Sequence, residues 1–139
     1  MRRHLHAILF SACCAATLVL CAACATETPV IPEGLSAVEI FQRAQDAADK
    51  GNYKLGIAYY SVIQKSYPDD IDHVIWAAYE IAFLNYKMGK YDVALSLVND
   101  LLARYEKEGD ALPPAPRVLA QKLKTRLEAL LPKKTEALR

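Results

Sequence analysis

Chemistry in this 139-residue chain rests on few side chains. His73 stands beside Asp69, Asp70 and Asp72, and carboxylates with an imidazole are metal-ligand types. The set lacks the glycine and closing glutamate of a calcium loop, and no second His or Cys lies nearby. The spacing therefore assigns no metal, and Asp72 is placed to accept N–H bonds at a helix start instead. Beyond residue 24, His73 is the one histidine and no cysteine follows Cys24. No Ser-His-Asp or Cys-His set assembles from these residues, no glycine-rich phosphate loop is present, and nothing singles out a carboxylate pair. The expectation is a protein that is not an enzyme and carries no cofactor and no metal.

The thiols do carry a chemical message. Cys13, Cys14, Cys21 and Cys24 all lie in the first 24 residues, whereas a disulfide framework would spread them through a fold. Arg2 and Arg3 precede an uncharged apolar stretch from Ala7 to Leu20. That stretch falls short of the roughly 20 residues of a membrane span but suits a secretory signal. Small residues Ala22 and Ala23 then lead into Cys24. The arrangement resembles the bacterial lipoprotein signal, in which the cysteine is acylated and becomes the new N-terminus. Cys21 stands where that pattern usually has Leu. The alternative is an ordinary signal cleaved after Ala23 or Ala25. Acylation at Cys24 would fix the protein to a leaflet, each buried CH₂ contributing about 0.8 kcal/mol. Ala25 follows the cysteine where enteric lipoproteins retained in the inner membrane often have Asp, and that resemblance implies the outer membrane. Residues 1–23 are thus read as a lipoprotein signal peptide, and 24–35, with Pro29, Pro32 and Gly34, as the acylated cysteine and a flexible tether.

The remainder reads as one helical domain, 36–131. Ser36-Ala37-Val38-Glu39 is a capping-box pattern that starts the first helix. Helices are expected over about 36–50, 53–66, 73–88, 91–107 and 116–131, within two to four residues. Pro132 is expected to stop the last one, leaving 132–139 as a basic flexible tail. No alternating strand pattern stands out. The near balance of 17 basic and 16 acidic residues gives no broad footprint for nucleic acid.

An internal repeat sets the architecture. Gly51-Asn52-Tyr53-Lys54-Leu55-Gly56 aligns with Gly89-Lys90-Tyr91-Asp92-Val93-Ala94 at a shift of 38 residues. Gly allows the tight turn between helices, and the small residue at 56 or 94 lets them approach closely. This resembles the tetratricopeptide repeat, a helix–turn–helix unit of about 34 residues. Ala44, Gly51, Tyr53, Gly56, Tyr60, Ile63 and Pro68 match in the first unit. Ile81, Ala82, Gly89, Tyr91, Ala94, Val98 and Leu101 match in the second. Arg43 and Glu106 depart from the pattern. The fold class expected is all-α: a tetratricopeptide-like helical hairpin solenoid of two repeats plus a C-terminal capping helix. Leu119, Leu123, Leu127, Leu130 and Leu131 form the seam of that cap.

Two surfaces remain as binding candidates. Trp76, Tyr79, Phe83 and Tyr86 recur at steps of three, four and three, with Lys87 adjacent. In the repeat family such positions face a concave groove that holds a partner's segment; the bland reading makes the stripe core, and the two overlap. Residues 117–139 carry seven basic and two acidic side chains, against eight and 14 over 24–116. Lys122, Lys124 and Arg126 could form a basic contact face for a protein or for anionic headgroups, or simply solvate the cap.

The lipoprotein signal, short tether, Ile40-Phe41-Gln42-Arg43-Ala44, the Gly51-Asn52-Tyr53 block and Lys65-Ser66-Tyr67-Pro68 together resemble the tetratricopeptide lipoproteins of the outer-membrane β-barrel assembly machinery, the BamD family. Typical members carry about five repeats, and this chain has two and a helix. The resemblance implies a membrane-anchored, non-catalytic scaffold facing the periplasm. Its partners would be the assembly barrel or unfolded client segments, with no nucleic acid. Two rivals stand beside it: a periplasmic adapter for envelope growth or division, and a ligand-binding accessory lipoprotein of a transporter.

Overall fold

The computed structural model describes residues 31–136, except Glu33, with side chains as far as Leu131, except Asp110. The signal peptide, Cys24 and most of the tether lie outside the described residues, as do the side chains of 132–139. Five α-helices and one short 3₁₀ turn make up the described chain, with no strand among those residues: α1 (Ala37–Asp49), α2 (Tyr53–Ser66), α3 (Ile71–Lys87), α4 (Tyr91–Glu108), the 3₁₀ turn (Gly109–Ala111) and α5 (Pro114–Glu136).

Local chemistry explains where each helix begins. At α1 the expected capping box forms: the Glu39 backbone N–H donates to Ser36 Oγ at 3.3 Å, and Ser36 N–H donates to Glu39 Oε2 at 2.9 Å. These bonds, the backbone one foremost, hold the Glu39 carboxyl below its usual range. Asn52 caps α2 by accepting from Leu55 N–H. At α3 the expectation needs correcting. The helix starts at Ile71, two residues early, and its cap is Asp70, which accepts from His73 N–H at 3.3 Å. The reason is a compact turn: Tyr67 N–H closes α2 on Ile63 O, and Asp70 N–H then bonds Tyr67 O. Asp72 falls in the first helical turn, where its charge still suits the helix N-terminus.

The last helix is longer than expected at both ends. Pro114 sits at its first position, where a missing N–H costs nothing. Tyr105 Oη donates to Pro113 O at 2.6 Å and ties the break to α4. Pro132 does not stop α5, which continues to Glu136. A proline removes one hydrogen bond and crowds the preceding turn. Here buried Leu127 anchors that turn, and the Lys133, Lys134 and Glu136 that follow favour helix. The helix therefore occupies most of the segment read as a flexible tail.

The 38-residue repeat is visible in the backbone. Asn52 N–H bonds Ala47 O and Gly51 N–H bonds Ala48 O, and Lys90 to Asn85 and Gly89 to Tyr86 repeat them. Gly51 and Gly89 share a positive φ, 76° and 73°, a conformation that an L side chain rarely adopts. Each helix packs on its sequence neighbour, and α1 meets α3 as α3 meets α5. The fold is all-α: two tetratricopeptide-like helical hairpins followed by a capping helix.

Two core clusters hold the stack together, and α3 serves both. Val74, Ala77, Ile81 and Leu84 pack with Ile40 and Ala44 of α1 and Tyr60 and Ile63 of α2. Ile75, Tyr79 and Ala82 pack with Ala94, Val98, Leu101 and Tyr105 of α4 and Ala120, Leu123 and Leu127 of α5. Most of these side chains are fully removed from water, each large one stabilising by about 1.5–3 kcal/mol. Leu119, Leu123 and Leu127 of the expected seam thus cap the second hairpin, while Leu130 and Leu131 are half-buried beyond that cluster. Arg43 and Glu106, the two departures from the repeat pattern, simply face solvent.

Candidate partner-binding groove

Because α3 buries two opposite faces, the line between them decides what remains open. Trp76, Glu80, Phe83 and Lys87 follow steps of four, three and four, which keep a row nearly parallel to the helix axis. The expected stripe, Trp76, Tyr79, Phe83 and Tyr86, uses steps of three, four and three and so drifts around the helix. Its residues accordingly part company. Tyr79 is buried, at 9% exposure, and Trp76 and Tyr86 are half-buried against the second-hairpin core. Phe83 packs on that core too, yet with Lys87 it also lines a solvent-open groove of about 540 Å³ between α1, α2 and α3.

The aromatics nevertheless form a continuous ladder. Trp76 meets Tyr79 edge-on at 6.3 Å between ring centroids. Tyr79 stacks on Phe83 at 6.0 Å, and Phe83 on Tyr86 at 6.0 Å. The ladder runs on to Tyr91 of α4 at 5.8 Å. Such pairs contribute about 0.5–1.5 kcal/mol each beyond burial. The expectation that all four rings are groove anchors is therefore corrected: Trp76, Tyr79 and Tyr86 pack within the second hairpin and its cap, and Phe83 alone of the four also reaches the groove wall.

The groove also contains groups that the stripe argument missed. Asp46 and Asp49 come from α1, Tyr53 from α2, and Glu80 from α3. The repeat register points to Asp49 alone, since a shift of 38 superposes it on Lys87; Asp46 and Glu80 carry no such signal. Burial raises the Glu80 carboxyl above its ordinary range, and the Asp49 charge raises it further. The buried Tyr60 phenol at the groove floor is pushed up as well, first by burial and then by Glu80 and Asp49. Three carboxylates against one ammonium, Lys87, make the groove acidic.

The loop cluster resolves into structure. His73 Nδ1 lies 2.9 Å from each Asp70 carboxylate oxygen, and its ring meets Phe41 edge-on at 5.6 Å. That hydrogen bond is the first cause holding the Asp70 carboxyl below its usual range. No trio of His, Cys, Asp or Glu is gathered as a metal site among the described residues.

The basic candidates on α5 do not share one face. Lys122 and Arg126, four apart, are exposed on one flank of the leucine seam. Lys124 lies on the other flank, with Nζ 4.0 Å from Glu128. Arg117 stacks over Tyr105 at 5.8 Å. No helix among the described residues is long and apolar enough to cross a membrane.

No protein-family model matches the chain, and no solved structure matches it. An uncharacterized protein of Treponema pallidum (strain Nichols) is similar, 32% identical over 99 residues. The match covers 70% of this chain and 39% of that protein, so the chain spans well under half its relative's length.

Proposed function

We propose that this protein is a membrane-anchored, non-catalytic scaffold that holds a segment of another protein in the α1–α2–α3 groove. The observation that carries the reading is the groove itself. It is open to solvent, lined by Phe83 and Tyr53, and set on a frame that has its own separate core. Concave surfaces with an aromatic wall and a few convergent polar groups suit ligand capture. The anchor is acylated Cys24, and the location is the outer membrane, facing the periplasm. The resemblance to the BamD family supplies the biological setting, outer-membrane β-barrel assembly, with the barrel protein or its unfolded clients as partners.

Mild crosslinking and affinity purification from native membranes test this. Recovery of a large β-barrel with periplasmic repeats supports the setting. Recovery of cell-wall enzymes or transporter subunits without that barrel contradicts it.

A further inference from the structure

We propose that the segment taken up by the α1–α2–α3 groove is cationic: a Lys or Arg side chain of a partner protein sits between Asp46, Asp49 and Glu80, flanked by Tyr53 and Phe83. This rests on the reading of the groove as a binding surface and adds the chemistry of its occupant.

The first argument is that the fold does not use these carboxylates. The ion pairs among the described residues lie elsewhere, joining His73 to Asp70, Arg104 to Glu108 and Lys124 to Glu128. Glu80 makes no hydrogen bond or ion pair among the described residues, although it is half-buried. A carboxylate drawn part-way from water beside a second negative charge is an electrostatic cost to the free protein. A glutamine would fill the same space without it.

The second argument is complementarity. A cation entering the groove reverses the sign of both effects on Glu80, supplying an opposite charge and hydrogen-bond donors. Charge-assisted bonds of this kind are about twice as strong as neutral ones. The neighbouring rings suit the same occupant. The stem of Lys or Arg is apolar, and a guanidinium stacks on an aromatic face. Lys87 also lines the groove and sets a limit, since a second cation of the occupant placed beside it would be repelled.

The test uses three synthetic octapeptides of alternating Leu with Arg, Gln or Glu, titrated into the full-length protein in detergent by fluorescence anisotropy. The Arg peptide is expected to bind, with the Gln and Glu peptides about tenfold weaker or more, a difference of about 1.4 kcal/mol. Glu80→Gln and Asp49→Asn should each weaken the Arg peptide several-fold. Glu106→Gln, the same charge change on exposed α4 outside the groove, should not. Circular dichroism melts establish that the variants are folded. Equal loss with Glu106→Gln would reduce the effect to overall charge and overturn the proposal. Equal binding of the Gln peptide would overturn it while leaving the groove as a binding surface. Failure of all three peptides would overturn both readings. Self-association abolished by the two groove variants would make the occupant a second copy and likewise overturn it.

Discussion

Gly56 lies directly against Leu84: a Cβ built on Gly56 would come within 3.0 Å of Leu84 Cδ1 and 3.2 Å of the Ala44 carbonyl oxygen. This is where α1, α2 and α3 converge beside the groove. The leucine tip can yield, but the backbone carbonyl cannot. Gly56→Ala should therefore change stability by less than about 1 kcal/mol, because gained helix propensity offsets the crowding. Gly56→Val should lose about 1–3 kcal/mol through overpacking. Urea denaturation of both variants checks this, and a fully tolerated valine would contradict the packing described.

Tyr79 and Phe83 lie nearly parallel, ring centroids 6.0 Å apart, yet serve different ends. Tyr79→Ala should cost about 3–5 kcal/mol, since it empties a buried site between α3, α4 and α5. Phe83→Ala should cost less stability and weaken partner binding by about 1–3 kcal/mol. Comparing unfolding and binding for the two variants separates core from groove. Equal effects on both quantities would refute the separation.

Much of this frame was legible beforehand. Gly51, Gly89 and the small residues 56 and 94 fixed two hairpins in register, and Ser36 with Glu39 marked the first helix. What escaped was the groove's acidic side. Asp46, Asp49 and Glu80 read individually as ordinary solvated charges on helices α1 and α3. Only packing α1 against α3 brings them to one concavity. The aromatic stripe misled for a related reason. Its types were right, but a row that drifts around α3 crosses from groove to core, and the sequence alone does not say where the second hairpin covers it. The Pro132 expectation failed because a local rule yielded to packing of the preceding turn and helix-forming residues beyond.

Glu80 should leave a mark on pH dependence. Its folded-state carboxyl is raised, so between its unfolded and folded pKa the native state binds the extra proton, and stability falls as pH rises through that window. Glu80→Gln should therefore raise Tm at pH 7, with the difference vanishing once pH falls below the ordinary glutamate range. Thermal unfolding at pH 7 and at about pH 3, below the ordinary glutamate range, checks this. A lower Tm for the variant at pH 7 would mean that the carboxylate stabilises the fold.

Asp70 should behave in the opposite sense. Its carboxyl is lowered, first by the His73 hydrogen bond, so its contribution is present above the ordinary aspartate range and is lost as pH falls through the folded value. Asp70→Ala, which also removes the α3 cap, should cost about 1 kcal/mol at neutral pH. His73→Ala should shift the Asp70 titration upward, as followed by carboxyl NMR shifts. An unmoved titration would assign the shift to the helix terminus alone.

The central claim is that the α1–α2–α3 groove holds another protein. A photo-crosslinking residue placed at Phe83, and separately at exposed Val93 on α4 as a control, reads this directly in native membranes. The account predicts adducts from position 83 that contain the assembly barrel or its clients, and none of these from position 93. No adduct at 83, or the same adducts from both positions, would contradict it.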